Sequence, residues 1–94
     1  MSSWKHAERM VAKLLGGTRT GCNGESRIDV EHDHLAIEVK QRKALPTYLR
    51  EGMDQAVRES GDRLPVVVLH QKGTEYQECY VCIRMRDFRD WYVN

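Results

Sequence analysis

The sequence predicts an α/β fold in which a mixed sheet of about four strands is flanked by helices. Three observations predict it. Apolar residues near the N-terminus recur with the period of a helix, residues 35–40 alternate with the period of a strand, and Pro65 to His70 encloses the unbroken apolar run Val66, Val67, Val68 and Leu69.

Trp4, Ala7, Met10, Val11, Leu14 and Leu15 follow one another at helical spacing, which predicts an amphipathic helix from Trp4 to Leu15 ended by Gly16 and Gly17. Lys5, Arg9 and Lys13 form a basic stripe on its far side, and Glu8 falls at the border, pointing along the protein surface. Residues 16–26 hold four glycines among Thr, Asn and Ser and read as an irregular loop carrying Arg19. Arg27 to Glu31 and Leu35 to Arg42 are strand-like and are separated by His32, Asp33 and His34, so they form a hairpin. In its second arm Leu35, Ile37 and Val39 take one face, and Ala36, Glu38 and Lys40 the other.

Pro46 and Thr47 open a second helix through about Ser60, with Leu49, Met53, Ala56 and Val57 on its apolar side, Gln55 along it and Gly61 to stop it. Because Pro65 to His70 shows no alternation, it reads as a central strand covered on both faces. Lys72, Gly73 and Thr74 turn into a further strand near Glu78 to Met85, and Asp87 to Tyr92 form a short last helix.

A chain of 94 residues with 40% hydrophobic and 31% charged residues suits one domain, 1–94, with a modest core, and excludes a disordered chain. Small domains bury a smaller share of their surface than large ones, so dimerisation is an open expectation from length alone. There is neither a stretch of roughly 20 apolar residues, as a membrane span needs, nor a secretory leader, so an intracellular protein with no membrane partner is expected. Three cysteines, Cys22, Cys79 and Cys82, are an odd number without an export signal, which favours reduced thiols. His32-x-His34 and Cys79-x-x-Cys82 are weak zinc signals, since residues three apart on a strand face opposite ways. The net charge of +1 does not itself point to nucleic acid, but basic residues cluster at Lys40, Arg42 and Lys43 and again at Arg84, Arg86 and Arg89.

The segment richest in chemistry is Ile28-Asp29-Val30 followed, eight residues beyond the aspartate, by Ile37-Glu38-Val39-Lys40. Acids on neighbouring arms of a hairpin can share a hard divalent cation such as magnesium, which takes oxygen ligands. Such an ion lowers the pKa of a bound water and neutralises charge building on a phosphodiester, while a lysine on the same face as Glu38 orients the water or stabilises the phosphorane. Glu-x-Lys on a strand also occurs as a solvated face with a cross-strand ion pair, and spacing alone leaves the two readings open.

In order along the chain stand Glu8 on a helix, a glycine-rich loop with Arg19 and Gly21, Ile28-Asp29-Val30, Glu38-Val39-Lys40, Pro46, and a helix with Gln55-Ala56. This arrangement resembles the PD-(D/E)xK nuclease superfamily and, within it, the small phage and archaeal enzymes that resolve Holliday junctions. The resemblance covers most of the chain. It implies a restriction-endonuclease-like core, with Asp29, Glu38 and the Val39 carbonyl as metal ligands and Lys40 as the catalytic lysine. It also makes Glu8 the helical acid that holds water near the metal and places Gln55 near the phosphate or nucleophile. Magnesium is the implied cofactor, with manganese able to substitute. The implied activity is hydrolysis of DNA, with a four-way junction as substrate, a homodimer as working unit and Lys5, Arg9, Arg19, Arg42 and Lys43 on the DNA. The cytoplasm or nucleoid is the expected location, including that of a host cell for a phage-encoded enzyme. The alternatives are another nuclease of the superfamily (a nickase, a flap-cutting repair enzyme, a restriction-like or homing endonuclease) and a catalytically silent DNA-binding module. Ile28 stands where the superfamily's name has proline, and Cys22 where resolvase-like loops often carry serine.

Overall fold

Helices and strands alternate in the order helix, three strands, helix, strand, strand, helix in the computed structural model, which describes residues 3–20 and 28–93. The chain divides into two compact units, Met1–Lys43 and Ala44–Asn94.

The first unit opens with helix α1, Ser3–Leu15. Its end follows from the two glycines: Gly16 adopts a left-handed φ of 73°, and the Gly17 amide donates back to the Ala12 carbonyl at 2.8 Å, the six-residue closure of a Schellman turn. Ala12 and Leu15 are buried, and the face they share with Val11 and Leu14 covers the sheet. Strand β1, Thr18–Arg19, pairs antiparallel with β2, Val30–Glu31, which pairs antiparallel with β3, Ala36–Ile37. Val30 on the middle strand is fully buried and anchors this core. Gly17 lets α1 and β2 come together, because a Cβ there would lie 2.6 Å from the Glu31 carbonyl oxygen and 2.7 Å from Val30 Cγ1.

The hairpin expected from the sequence is present, and its second arm keeps the anticipated alternation, with Leu35, Ile37 and Val39 half-buried and Ala36, Glu38 and Lys40 exposed. The loop reading of residues 16–26 is corrected at Thr18 and Arg19, which form β1. Their amides and carbonyls find partners on β2, and a two-residue strand beside glycines leaves no periodicity to read. The calls on Gly21 and Cys22, and the start of the first hairpin arm at Arg27, lie outside the described residues.

The second unit begins with α2, Thr47–Ser60, stopped at Gly61, whose φ is 58°. Leu49, Met53, Ala56 and Val57 are half-buried, as their spacing predicts, and Gly52 brings the helix against Val67. Strand β4, Val67–Leu69, pairs antiparallel with β5, Tyr80–Cys82, and a 3-10 turn at Tyr76–Glu78 lies between them. Helix α3, Met85–Phe88, continues into a wider helical turn over Arg89–Val93, where Tyr92 stacks on Phe88 with ring centroids 5.2 Å apart.

Two expectations are corrected here. The described strands form two separate antiparallel sheets, β1-β2-β3 and β4-β5, rather than one mixed sheet of about four strands. Short links close antiparallel neighbours, whereas parallel pairing needs a longer crossover. The mixed α/β class itself holds. Nor is β4 covered on both faces: Val68 is 58% exposed and faces Val81, itself 66% exposed, across the ladder. The helix covers the Val67 side of the strand, so the unbroken apolar run does not report a buried centre. Among the described residues no helix is long and apolar enough to cross a membrane.

Candidate functional site

The end of the hairpin next to the buried Val30 gathers three of the residues singled out by the sequence. Val30 pairs with Ile37, which puts Asp29 and Glu38 just beyond the same rung of the ladder. The Asp29 amide donates to the Ile37 carbonyl at 3.0 Å, and Asp29 Oδ2 accepts the Val39 amide at 2.7 Å. The carboxylate is thereby fixed beside the Glu38–Val39 peptide. Thr20 secures the other side: its amide donates to the Asp29 carbonyl at 3.1 Å and its hydroxyl donates to the Ile28 carbonyl at 2.8 Å. Sequence reasoning did not single out Thr20, since its role depends on β1.

Lys40 and Glu38 share a face, as alternation requires, with Nζ and Oε2 3.7 Å apart and side chains 70% and 46% accessible. A pair so exposed and so long is weak, and either group can turn to another partner at little cost. The ion pair lies within one arm of the hairpin rather than across strands, and it is compatible with the catalytic reading at this position.

Glu8 departs from its expected place along the surface. It is buried, and its Oε1 accepts a 2.7 Å hydrogen bond from Arg19 Nε, with the two side chains only 11% and 22% accessible. The strand that carries Arg19 explains this, because β1 lies against α1 and supplies the opposite charge that burial of a carboxylate demands. Arg19 pairs in register with Val30, so the Glu8–Arg19 pair meets the middle strand one residue from Asp29. The Arg19 guanidinium carbon is also 6.0 Å from the Trp4 ring centroid, and Lys5 Nζ is 5.3 Å from the same ring, which makes Trp4 the hub of a cation–π cluster.

The remaining basic residues differ in setting. Lys5 is half-buried, whereas Arg9, Arg42 and Lys43 are exposed. Arg42 Nη1 donates to the Gln41 carbonyl at 2.9 Å. Gln55 is exposed on α2 in the second unit. Cys79, just before β5, and Cys82, at its end, are free, half-buried thiols.

The donor chemistry at the hairpin suits a hard cation. Asp29 and Glu38 offer carboxylate oxygens and Val39 a carbonyl, while no three His, Cys, Asp or Glu residues gather among the described residues. Magnesium is commonly held by one or two carboxylates together with waters and substrate phosphates, whereas structural zinc takes four nitrogen or sulfur ligands. The residues present fit the former. Comparison of the chain with family models, with curated proteins and with solved structures finds no match.

Proposed function

We propose that the chain is a metal-dependent DNA endonuclease of the PD-(D/E)xK type, built on a restriction-endonuclease-like core, that cuts four-way junctions as a homodimer. The observation that carries this reading is the hydrogen bond from the Val39 amide to Asp29, which ties the first acid to the backbone between Glu38 and Lys40. Asp29 and Glu38 would hold magnesium, with the Val39 carbonyl as a further ligand. When bound, that ion would supply Lewis-acid stabilisation of a phosphodiester.

The chain's own groups do the rest. The Val39 amide holds the Asp29 carboxylate in one orientation, which spares the site from ordering it during reaction. Lys40 orients the attacking water toward phosphorus and offsets the negative charge that gathers on the phosphoryl oxygens. Glu8, fixed by Arg19, holds water near Asp29. The phosphorus–oxygen bond to one sugar breaks as the bond to water forms, which leaves a phosphate on one end and a hydroxyl on the other. Lys5, Arg9, Arg42 and Lys43 meet the DNA backbone, and Gln55, on α2 of the second unit, contacts a DNA phosphate. Phosphate contacts carry no base information, so the shape of the DNA selects the substrate. Symmetric cutting of a junction needs two sites, and the individually exposed apolar side chains of Val68, Val81 and Trp91 are area for a second subunit to cover.

The test is cleavage by purified protein of a four-way junction, a flap and a plain duplex, each with magnesium and with chelator. Magnesium-dependent cutting of the junction in preference to the others is expected, and its absence with all three substrates rejects the nuclease reading. Preference for flap or duplex would keep the chemistry and replace the substrate.

A further inference from the structure

The Trp4 cluster has features that hydrolysis at Asp29 and Glu38 does not use. Trp4 is 53% exposed near the start of α1, an expensive position for a large aromatic ring on a protein with little core. Two cations attend it, Arg19 at 6.0 Å and Lys5 at 5.3 Å from the ring centroid. Arg19 is in turn held by the buried carboxylate of Glu8. The ring is thus open to solvent while one of its neighbouring charges is fixed in place.

We infer that Trp4, Lys5 and Arg19 form a docking platform for one unpaired nucleotide of single-stranded DNA, the base stacking on the indole and its phosphate meeting the two cations. This rests on the proposed DNA substrate and names the part of it that the first unit grips. Every base has a π-face, so an aromatic ring beside a positive charge binds single strands without a sequence preference. Cation–π contacts keep the side chains near the ring when no DNA is bound, which lowers the ordering cost of binding. In the open form of a four-way junction the base pairs at the point of strand exchange each lack a stacking neighbour on one side, so freeing one nucleotide there costs less than in continuous duplex.

The sequence has two tryptophans, so Trp91→Phe leaves Trp4 as the sole indole reporter. In that background, with chelator present to prevent cleavage, Trp4 emission should be quenched saturably by oligothymidylate and by a four-way junction, and less by blunt duplex. Trp4→Ala should weaken oligothymidylate binding, measured by anisotropy of labelled DNA, by about tenfold, and Trp4→Phe should retain most of it. Circular dichroism checks that each variant keeps its fold. Unchanged affinity in a folded Trp4→Ala protein, or emission indifferent to oligothymidylate, overturns the platform. Magnesium-dependent cleavage is scored separately. Cleavage with no quenching rejects the platform alone, whereas quenching with no cleavage rejects the nuclease reading and leaves the platform standing.

Discussion

Replacing Arg19 with methionine should destabilise the first unit far more than replacing Glu8 with leucine, and replacing both should restore most of the loss. Breaking a fully buried ion pair from one side costs about 3–5 kcal/mol, because the remaining charge is stranded. The Glu8 and Arg19 side chains keep 11% and 22% accessibility, so water recovers part of that penalty. Arg19→Met, which strands the more buried carboxylate, is expected to cost about 2–3 kcal/mol. Glu8→Leu leaves a guanidinium that is the more accessible partner and still lies beside Trp4, and about 1 kcal/mol is expected. The double replacement removes both charges from a partly apolar site and should fall within about 1 kcal/mol of the parent, a coupling energy of about 2 kcal/mol. Urea unfolding followed by Trp4 emission in a Trp91→Phe background measures this locally. With a slope of about 1–2 kcal/mol per molar for a small domain, Arg19→Met should lower the midpoint by more than about 1 M. Equal and additive losses in the two single variants would refute the argument from a stranded charge. Junction cleavage adds a second reading. If Glu8 holds water near Asp29, the double variant regains stability yet still cuts about a hundredfold more slowly. Cleavage that returns with stability would make Glu8 structural only.

Asp29→Asn keeps an oxygen that can accept the Val39 amide, so its unfolding midpoint should stay near that of the parent while magnesium-dependent cleavage is abolished. Asp29→Ala removes the acceptor as well and should cost an additional 1–3 kcal/mol or about that in denaturant titration. Equal stability of the two variants would contradict the anchoring role of that hydrogen bond. Lys40→Ala breaks only an exposed pair and should change stability by less than about 0.5 kcal/mol, yet slow cleavage by more than about tenfold. A smaller loss in single-turnover assays would make Lys40 a surface residue. Gly17→Ala drives a Cβ into the Glu31 carbonyl and Val30, and thermal unfolding should show a loss of about 1–3 kcal/mol. Junction binding should weaken steeply between low and moderate salt as phosphate contacts release counterions, and a flat dependence would argue against the exposed basic residues as the DNA surface.

The parts of the fold legible in the sequence are those with a period or a stop signal long enough to read. Helix α1 ends where Gly16 takes a positive φ, α2 runs from Thr47 to Ser60 between Pro46 and Gly61, and the 35–40 alternation appears as alternating burial. The illegible parts depend on partners distant in sequence. Thr18 and Arg19 are a strand only because β2 pairs with them. Val66 to Leu69 look alike from the sequence whether a strand is covered on one face or two, and only the position of α2 against Val67 distinguishes these.

The same division runs through the candidate site. The approach of Asp29 to the Glu38–Lys40 segment was legible because a two-residue alternation and a hairpin turn suffice to bring the two arms together, and the Asp29–Val39 hydrogen bond is a local consequence of that pairing. Glu8 was misplaced because its helical position, taken alone, lies at the border between apolar and basic faces. What buries it is a charge delivered by β1, eleven residues away, and helical periodicity cannot report a counter-ion. Trp4 stands on the apolar stripe by its spacing yet is exposed, for the converse reason: a residue at the start of an amphipathic stripe shares the period of the stripe but not the sheet beneath it, which covers Ala12 and Leu15 near the other end of the helix. The burial of Glu8 and the exposure of Trp4 therefore have one origin. The apolar stripe sets which way the helix faces, whereas the extent of the sheet decides how much of that face is covered, and it is beyond the covered stretch, where Trp4 stands exposed beside Arg19, that this unit has a side chain left to bind something else.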